Sequence, residues 1–184
     1  MDTFVWALSR LCRFFLYLAA SLTLVLVIVV VQQVFARYIF GDSSVAMQEL
    51  SWHLFGGVFL LSGGGALLLN KHVRVDVLHR YFPQSYRVWI DRLGFIFFLM
   101  PTCVCLVWFG TEFSLASRSF STSSFSDGFW VWLFSGERSA DSGGLPGRWI
   151  VKSLIPLGSI TVFLSGLVLF LESFTVSIGG RSNG

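Results

Sequence analysis

The chain has 184 residues, of which 54% are hydrophobic and only 12% charged, with a formal net charge of +3 and a mean hydropathy of +0.73. A soluble globular domain carries about 25% charged residues. A deficit this large excludes an ordinary water-soluble domain and makes lipid the main solvent.

The first apolar stretch, FFLYLAASLTLVLVIVVVQQVFA, lies between Arg13 and Arg37. About 20 helical residues cross a ~30 Å hydrocarbon core, and backbone groups in lipid must be satisfied within their own segment, so residues 14–36 are expected to form a spanning helix. The run exceeds the typical signal-peptide core of about 7–15 residues and no small-x-small cleavage site follows it. It is therefore expected to stay in place and to serve as the targeting signal as well.

A short turn follows, RYIFGDSSVAMQEL, which makes the first two spans antiparallel neighbours. Asp42, Ser43 or Ser44 is placed to cap the second helix. Arg37 and Glu49 are placed to pair near the interface. Glu49 is shallow, which favours a structural or partner-contact role over ion transport.

The second span, about 50–70, contains Gly56, Gly57 and Gly63 to Gly65. The spacing from Gly57 to Gly64 puts glycines on one stripe, where another helix can approach closely.

NKHVRVDVLHRYFP, residues 70–83, is charge-rich. On a helical wheel Val73, Val77, Leu78, Tyr81 and Phe82 share an apolar face, and His72, Asp76, His79 and Arg80 share the other. This predicts an amphipathic interfacial helix ended by Pro83, with Asp76 and Arg80 as an i,i+4 pair and Arg74 snorkelling from within the apolar face. The alternation HVRVDV also fits a short strand, which would have nothing to pair with at a membrane surface.

The third span, about 93–111, holds Pro101, which is expected to kink it. Cys12, Cys103 and Cys105 form no CxxC pair and read as small apolar side chains. The outer loop 112–152 carries FWVWLF at 129–134, a composition suited to the headgroup region. The fourth span, about 153–171, begins near Pro156, which is expected to bend its start or to lie in its first turn.

Orientation follows from basic residues, which mark the cytoplasmic side. The 71–92 segment holds Lys71, Arg74, Arg80, Arg87 and Arg92, and the N-terminus holds Arg10 and Arg13, whereas the 37–49 turn holds only Arg37. The expectation is an all-α membrane protein, a single four-helix domain over 1–184. Both termini are in the cytoplasm. A cytoplasmic amphipathic segment follows the second helix, and an outer interfacial segment lies between the third and fourth.

Three histidines raise the question of haem or metal. His53 lies near the outer end of its span, and His72 and His79 lie on the far side of the membrane, roughly 27 Å of helix away, so they cannot share one metal with it. No nucleophile–base pair, phosphate loop or acidic dyad is present. The expectation is no catalytic, cofactor or metal site in this chain, so not an enzyme; the alternative is a free-standing four-helix redox protein that binds quinone or haem.

The order ARYIFG, QELSWHLFG, NKHVRVDVLHRYFP and SGERSADSGGLPGRWIVKSLIPLG resembles the small membrane subunit of the tripartite ATP-independent periplasmic (TRAP) transporters, from about Arg37 to about Gly166. HVRVDVL and GGLP-x-RW-x-x-K-x-x-IP are its most specific pieces. Gln48–Glu49 stands where the family often has two acidic residues. The resemblance implies a multi-pass protein of the bacterial inner membrane that works with a large membrane subunit and a periplasmic solute-binding protein, and no nucleic acid. The large subunit would hold the substrate and sodium sites and move as an elevator. The small one would brace it and help to dock the binding protein, and the imported solute would be of organic-acid type. Partner-contact or structural candidates are Arg37, Glu49, Gly57, Gly64, His72, Arg74, Asp76, Arg148 and Lys152.

Overall fold

The computed structural model describes residues 2–41, 43–69, 89–90, 92–121 and 125–179. Each apolar stretch satisfies its backbone locally, as hydrocarbon demands. Helix α1 spans Asp2–Phe35 and runs into a π turn at Ala36–Phe40. Helix α2 spans Val45–Leu68, α3 spans Met100–Ser119, the short α4 spans Phe129–Leu133, and α5 spans Trp149–Gly179. Four helical segments are long and apolar enough to cross a membrane: Val5–Phe40, Val45–Leu68, Arg92–Ser119 and Trp149–Leu171. Among the described residues there is no strand. The fold is thus the all-α, four-span architecture expected from the hydropathy pattern.

The helices outrun their apolar stretches. The 36 residues of Val5–Phe40 extend roughly 54 Å at 1.5 Å per residue, more than the ~40–45 Å of a bilayer with its headgroups. The first turns of α1 accordingly carry Arg10, whose guanidinium lies 5.0 Å from the centre of the Trp6 ring. A basic group beside an indole is interfacial chemistry.

Helix α5 is the hub. It packs on α2 and α3 most extensively and on α1 to a smaller extent, and α1 also packs along α2. Lipid tails give helices no hydrophobic reason to associate, so close van der Waals approach must do it. A Cβ at Gly64 would lie 2.6 Å from the Thr161 carbonyl oxygen of α5, and one at Gly65 would lie 2.5 Å from Leu16 Cβ of α1. Consecutive glycines therefore let α2 press against both neighbours. Gly158 of α5 answers from the other side, where a Cβ would lie 2.7 Å from the Leu60 carbonyl oxygen. Gly57 is looser, in ordinary contact with Leu154 at 3.4 Å.

Three buried hydroxyls of α5 bond within their own helix, whereas the buried Ser114 hydroxyl of α3 donates to the Trp149 carbonyl of α5 at 3.2 Å. Ser159, Thr161 and Ser165 donate to the carbonyls of Ile155, Gly158 and Thr161 at 2.8, 2.8 and 2.9 Å. Cys12, fully buried, points its thiol at the Thr161 carbonyl oxygen at 3.7 Å.

The two span prolines have different local settings, and Pro156 does not take the first-turn position expected as one option for it. Pro101 follows a π turn at Phe95–Leu99, in which the Met100 N–H reaches back to the Phe95 carbonyl. The wider turn accommodates a residue that has no N–H and whose ring would crowd the carbonyl four positions earlier. Pro156 lies inside α5, beyond its first turn, and Gly110 of α3 faces it: a Cβ there would lie 3.1 Å from Pro156 Cδ.

Candidate functional site

The polar side chains that connect distant parts of the chain gather at one end of the bundle, where α1 ends, α2 begins, α3 ends and α5 begins. The segment between α3 and α5 folds there into a cap. Its two arms lie side by side: the Arg148 N–H donates to the Glu137 carbonyl at 3.1 Å and the Ser139 N–H donates to the Leu145 carbonyl at 3.3 Å. A tight turn closes them, with the Gly144 N–H donating to the Asp141 carbonyl at 3.1 Å. Gly136 enters the cap at φ 105°, a left-handed conformation that favours glycine.

Three clamps hold the cap to three helices. The first is to α2. Glu49 accepts the Leu145 N–H at 2.7 Å on Oε2, and Ser139 Oγ–H donates to Oε1. Gly144 makes room for this carboxylate, since a Cβ there would lie 2.9 Å from Glu49 Oε2.

The second clamp joins α3 and α5. Glu137 accepts a charge-assisted hydrogen bond from Lys152 Nζ of α5 and one from Ser117 Oγ of α3 at 2.7 Å. The Glu137 N–H also donates to the Ser117 carbonyl at 3.0 Å. The Lys152 ammonium beside it, then the Ser117 hydroxyl, hold the Glu137 carboxyl below the usual carboxylate range. Lys152 Nζ also sits 4.1 Å from the centre of the Phe113 ring.

The third clamp is aromatic. The Arg118 guanidinium lies in the corner formed by two indoles in edge-to-face contact, 3.8 Å from the centre of Trp132 and 4.7 Å from that of Trp149. The Trp149 Nε1–H donates to the Leu133 carbonyl at 3.1 Å, which ties α4 to the start of α5. Arg118 Nη1 is buried and has no hydrogen-bond partner among the described residues; the indole faces supply its electrostatic contact.

Several of the candidate residues therefore converge. Glu49 and Lys152 each hold one clamp. Arg148 contributes its backbone N–H and lies within electrostatic reach of both Glu49 and Glu137. Gly64 is the tight contact and Gly57 the slack one. The expected Arg37–Glu49 pair does not form. The loop takes both oxygens of Glu49, and Arg37 is exposed on the wall of a groove of about 340 Å³ with a mixed lining that includes Gln33, Ser44, Val34 and Met47. Gln33 crosses that turn, its side-chain amide donating to the Met47 carbonyl at 2.6 Å. Ser44 takes the N-cap position of α2 without a hydroxyl bond to the helix. His72, Arg74 and Asp76 lie outside the described residues. Among the described residues no three metal-ligating side chains come together.

Sequence reasoning missed Ser117, Arg118, Glu137, Ser139 and the inward role of Trp132. The GERSADSGGLPGRW run marked the place, but its partners on α2 and α3 carry no local signal of the pairing.

The family model described as "Tripartite ATP-independent periplasmic transporters, DctQ component" matches residues 26–176. No curated protein matches the chain.

Proposed function

The chain belongs to the DctQ family of tripartite ATP-independent periplasmic transporter components, and on that premise we propose that it is the scaffold subunit of a secondary-active importer in the bacterial inner membrane. It braces a large elevator-type membrane subunit and offers the capped end to a periplasmic solute-binding protein. Both termini and the 71–92 segment face the cytoplasm, on the weight of their basic residues, which turns the cap toward the periplasm. The solute is of organic-acid type, and sodium coupling resides in the large subunit.

The observation that carries this reading is the division of labour within the bundle. The mid-bundle contacts of α2 with α5 are closed by glycine backbones, and the buried hydroxyls of α5 there are already bonded to their own helix. The polar side chains are spent on holding a surface loop rigid across α2, α3 and α5. A rigid, pre-organised end surface lowers the ordering cost of a docking event.

Pull-down of the tagged chain from native membranes in mild detergent tests it. A large multi-span subunit is expected to co-purify, and solute uptake into proteoliposomes is expected only with both subunits and the binding protein. Arg74→Glu is expected to lower the yield of the complex more than Arg87→Glu. Uptake by the chain reconstituted alone would overturn the proposal.

A further inference from the structure

We propose that the groove between the end of α1 and the start of α2 binds the headgroup of an anionic membrane phospholipid, with Arg37 on its phosphate. This rests on the multi-pass membrane architecture and not on the transporter assignment.

Arg37 is the charge that ends the first apolar stretch. Glu49, its expected partner, is spent on the cap, and Arg37 has no acidic partner among the described residues. A guanidinium fits phosphate oxygens with two parallel N–H donors. Arg37 and Tyr38 enter the groove from the π turn at Ala36–Phe40, where the α register breaks. Such turns recur at functional sites.

Depth identifies the anion. The Gln33 side-chain amide donates to the Met47 carbonyl at 2.6 Å, which puts these two residues at one level. Met47 lies just before Glu49, the charge that bounds the second apolar stretch. Arg37 is one helical turn beyond Gln33, and Ser44 nearly one turn before Met47, so both lie roughly 5–6 Å further out. That is the headgroup layer, about 5–7 Å deep on each face of the bilayer.

The groove is polar above and apolar below. Tyr38, Ser43 and Ser44 join Arg37 at the upper level, and the Ser44 hydroxyl makes no bond to its own helix. Val34 and Met47 line the groove near the level of Gln33, and Val30 lies roughly 4–5 Å deeper than Gln33. A phospholipid has the same order along the membrane normal, with phosphate and glycerol outside and the first methylenes inside. An inorganic phosphate would use the upper wall alone. Gln33 is also tied to Ser51 at 3.3 Å, so the walls are held before anything binds.

Charge selects among lipids. No described lining residue is a carboxylate. The ammonium of phosphatidylethanolamine therefore gains no partner there and lies beside the like-charged Arg37. Phosphatidylglycerol brings the negative charge alone, with hydroxyls for the serines.

The test uses the full chain, with the subunits that purify with it, in liposomes of equal parts phosphatidylethanolamine and phosphatidylglycerol. The chain carries a benzophenone at position 38, and mass spectrometry reads its photo-adducts. Phosphatidylglycerol adducts are expected to exceed phosphatidylethanolamine adducts about tenfold, the difference that a charge-assisted bond supplies. Arg37→Gln is expected to lose this preference and Arg37→Lys to keep part of it. Arg13→Gln, toward the other end of α1, is expected to keep it whole. Should the Arg37 variants fail to fold, the lipid ratio in the protein with Arg37 intact decides. Millimolar inorganic phosphate is expected to leave the adducts in place. Equal labelling by the two lipids would overturn the proposal. So would loss of the adducts to inorganic phosphate, or a cross-link from position 38 to another polypeptide in place of lipid.

Discussion

Glu49 on α2 accepts the backbone N–H of Leu145, 96 residues later in the chain, at 2.7 Å, and its other oxygen accepts the hydroxyl of Ser139. One carboxylate thus holds both arms of the cap. Glu49→Ala removes both acceptors and is expected to free the loop. Glu49→Gln keeps one carbonyl oxygen and is expected to fall between. Trypsin cleavage after Arg138, which is part of the cap, reads this directly. A several-fold faster cut is expected in the alanine variant, and an unchanged rate would show that the carboxylate does not hold the loop.

Arg118 in the corner formed by Trp132 and Trp149 depends on a broad, flat guanidinium that can meet two rings at once. Lysine carries the same charge as a point and can face only one. Arg118→Lys is expected to cost about 1–2 kcal/mol. It should also shift the indole emission, because two of the tryptophans lose their cationic neighbour. Thermal melting followed by intrinsic fluorescence checks both effects, and a melt identical to that of the unaltered protein would refute the stack's contribution.

Gly64 and Gly56 sit on the same helix and should answer substitution in opposite ways. A Cβ at Gly64 would lie 2.6 Å from the Thr161 carbonyl oxygen, whereas one at Gly56 meets nothing within 4 Å. Gly64→Ala must push α2 off α5 and is expected to cost about 1–3 kcal/mol. Gly56→Ala is expected to be neutral or to stabilise by roughly 0.5–1 kcal/mol, since alanine loses less backbone freedom in a helix. The temperature at which each variant loses its monodisperse peak in detergent is the measurement.

Glu137 makes the cap sensitive to acid. Lys152 and Ser117 lower its pKa in the folded protein. Its contribution to stability is therefore fully present above the ordinary glutamate value of about 4.3. It is lost as pH falls through the lower folded value, where the carboxyl takes up its proton and releases Lys152. Glu137→Gln is expected to flatten the stability profile in that acidic window and to leave its shape near neutrality unchanged. A thermal-shift series from pH 3 to 7 on both proteins tests this.

Apolar length and the spacing of charge were enough to read four helices from the residues, because hydrocarbon leaves a spanning backbone no other way to satisfy itself. Gly64 could be marked as a contact for the same local reason: a residue without a side chain in a span invites a neighbour. What the stretch could not say is which neighbour. Gly64 meets Thr161 and Gly57 only grazes Leu154 because of how α2 and α5 are rotated about their axes, and rotation follows from every contact along both helices. The cap lies further still from local pattern. Arg37 is the basic residue nearest to Glu49 across the first turn, yet Ser139 and Leu145 take the carboxylate, because folding returns the 136–148 loop over the start of α2. FWVWLF likewise reads as one apolar run, while the tertiary structure turns Trp132 inward onto Arg118 and leaves Trp130 exposed. Local chemistry decided what each segment becomes in lipid. Only the packed bundle decided which residues meet, since those meetings join positions dozens of residues apart and exist only once the helices have docked.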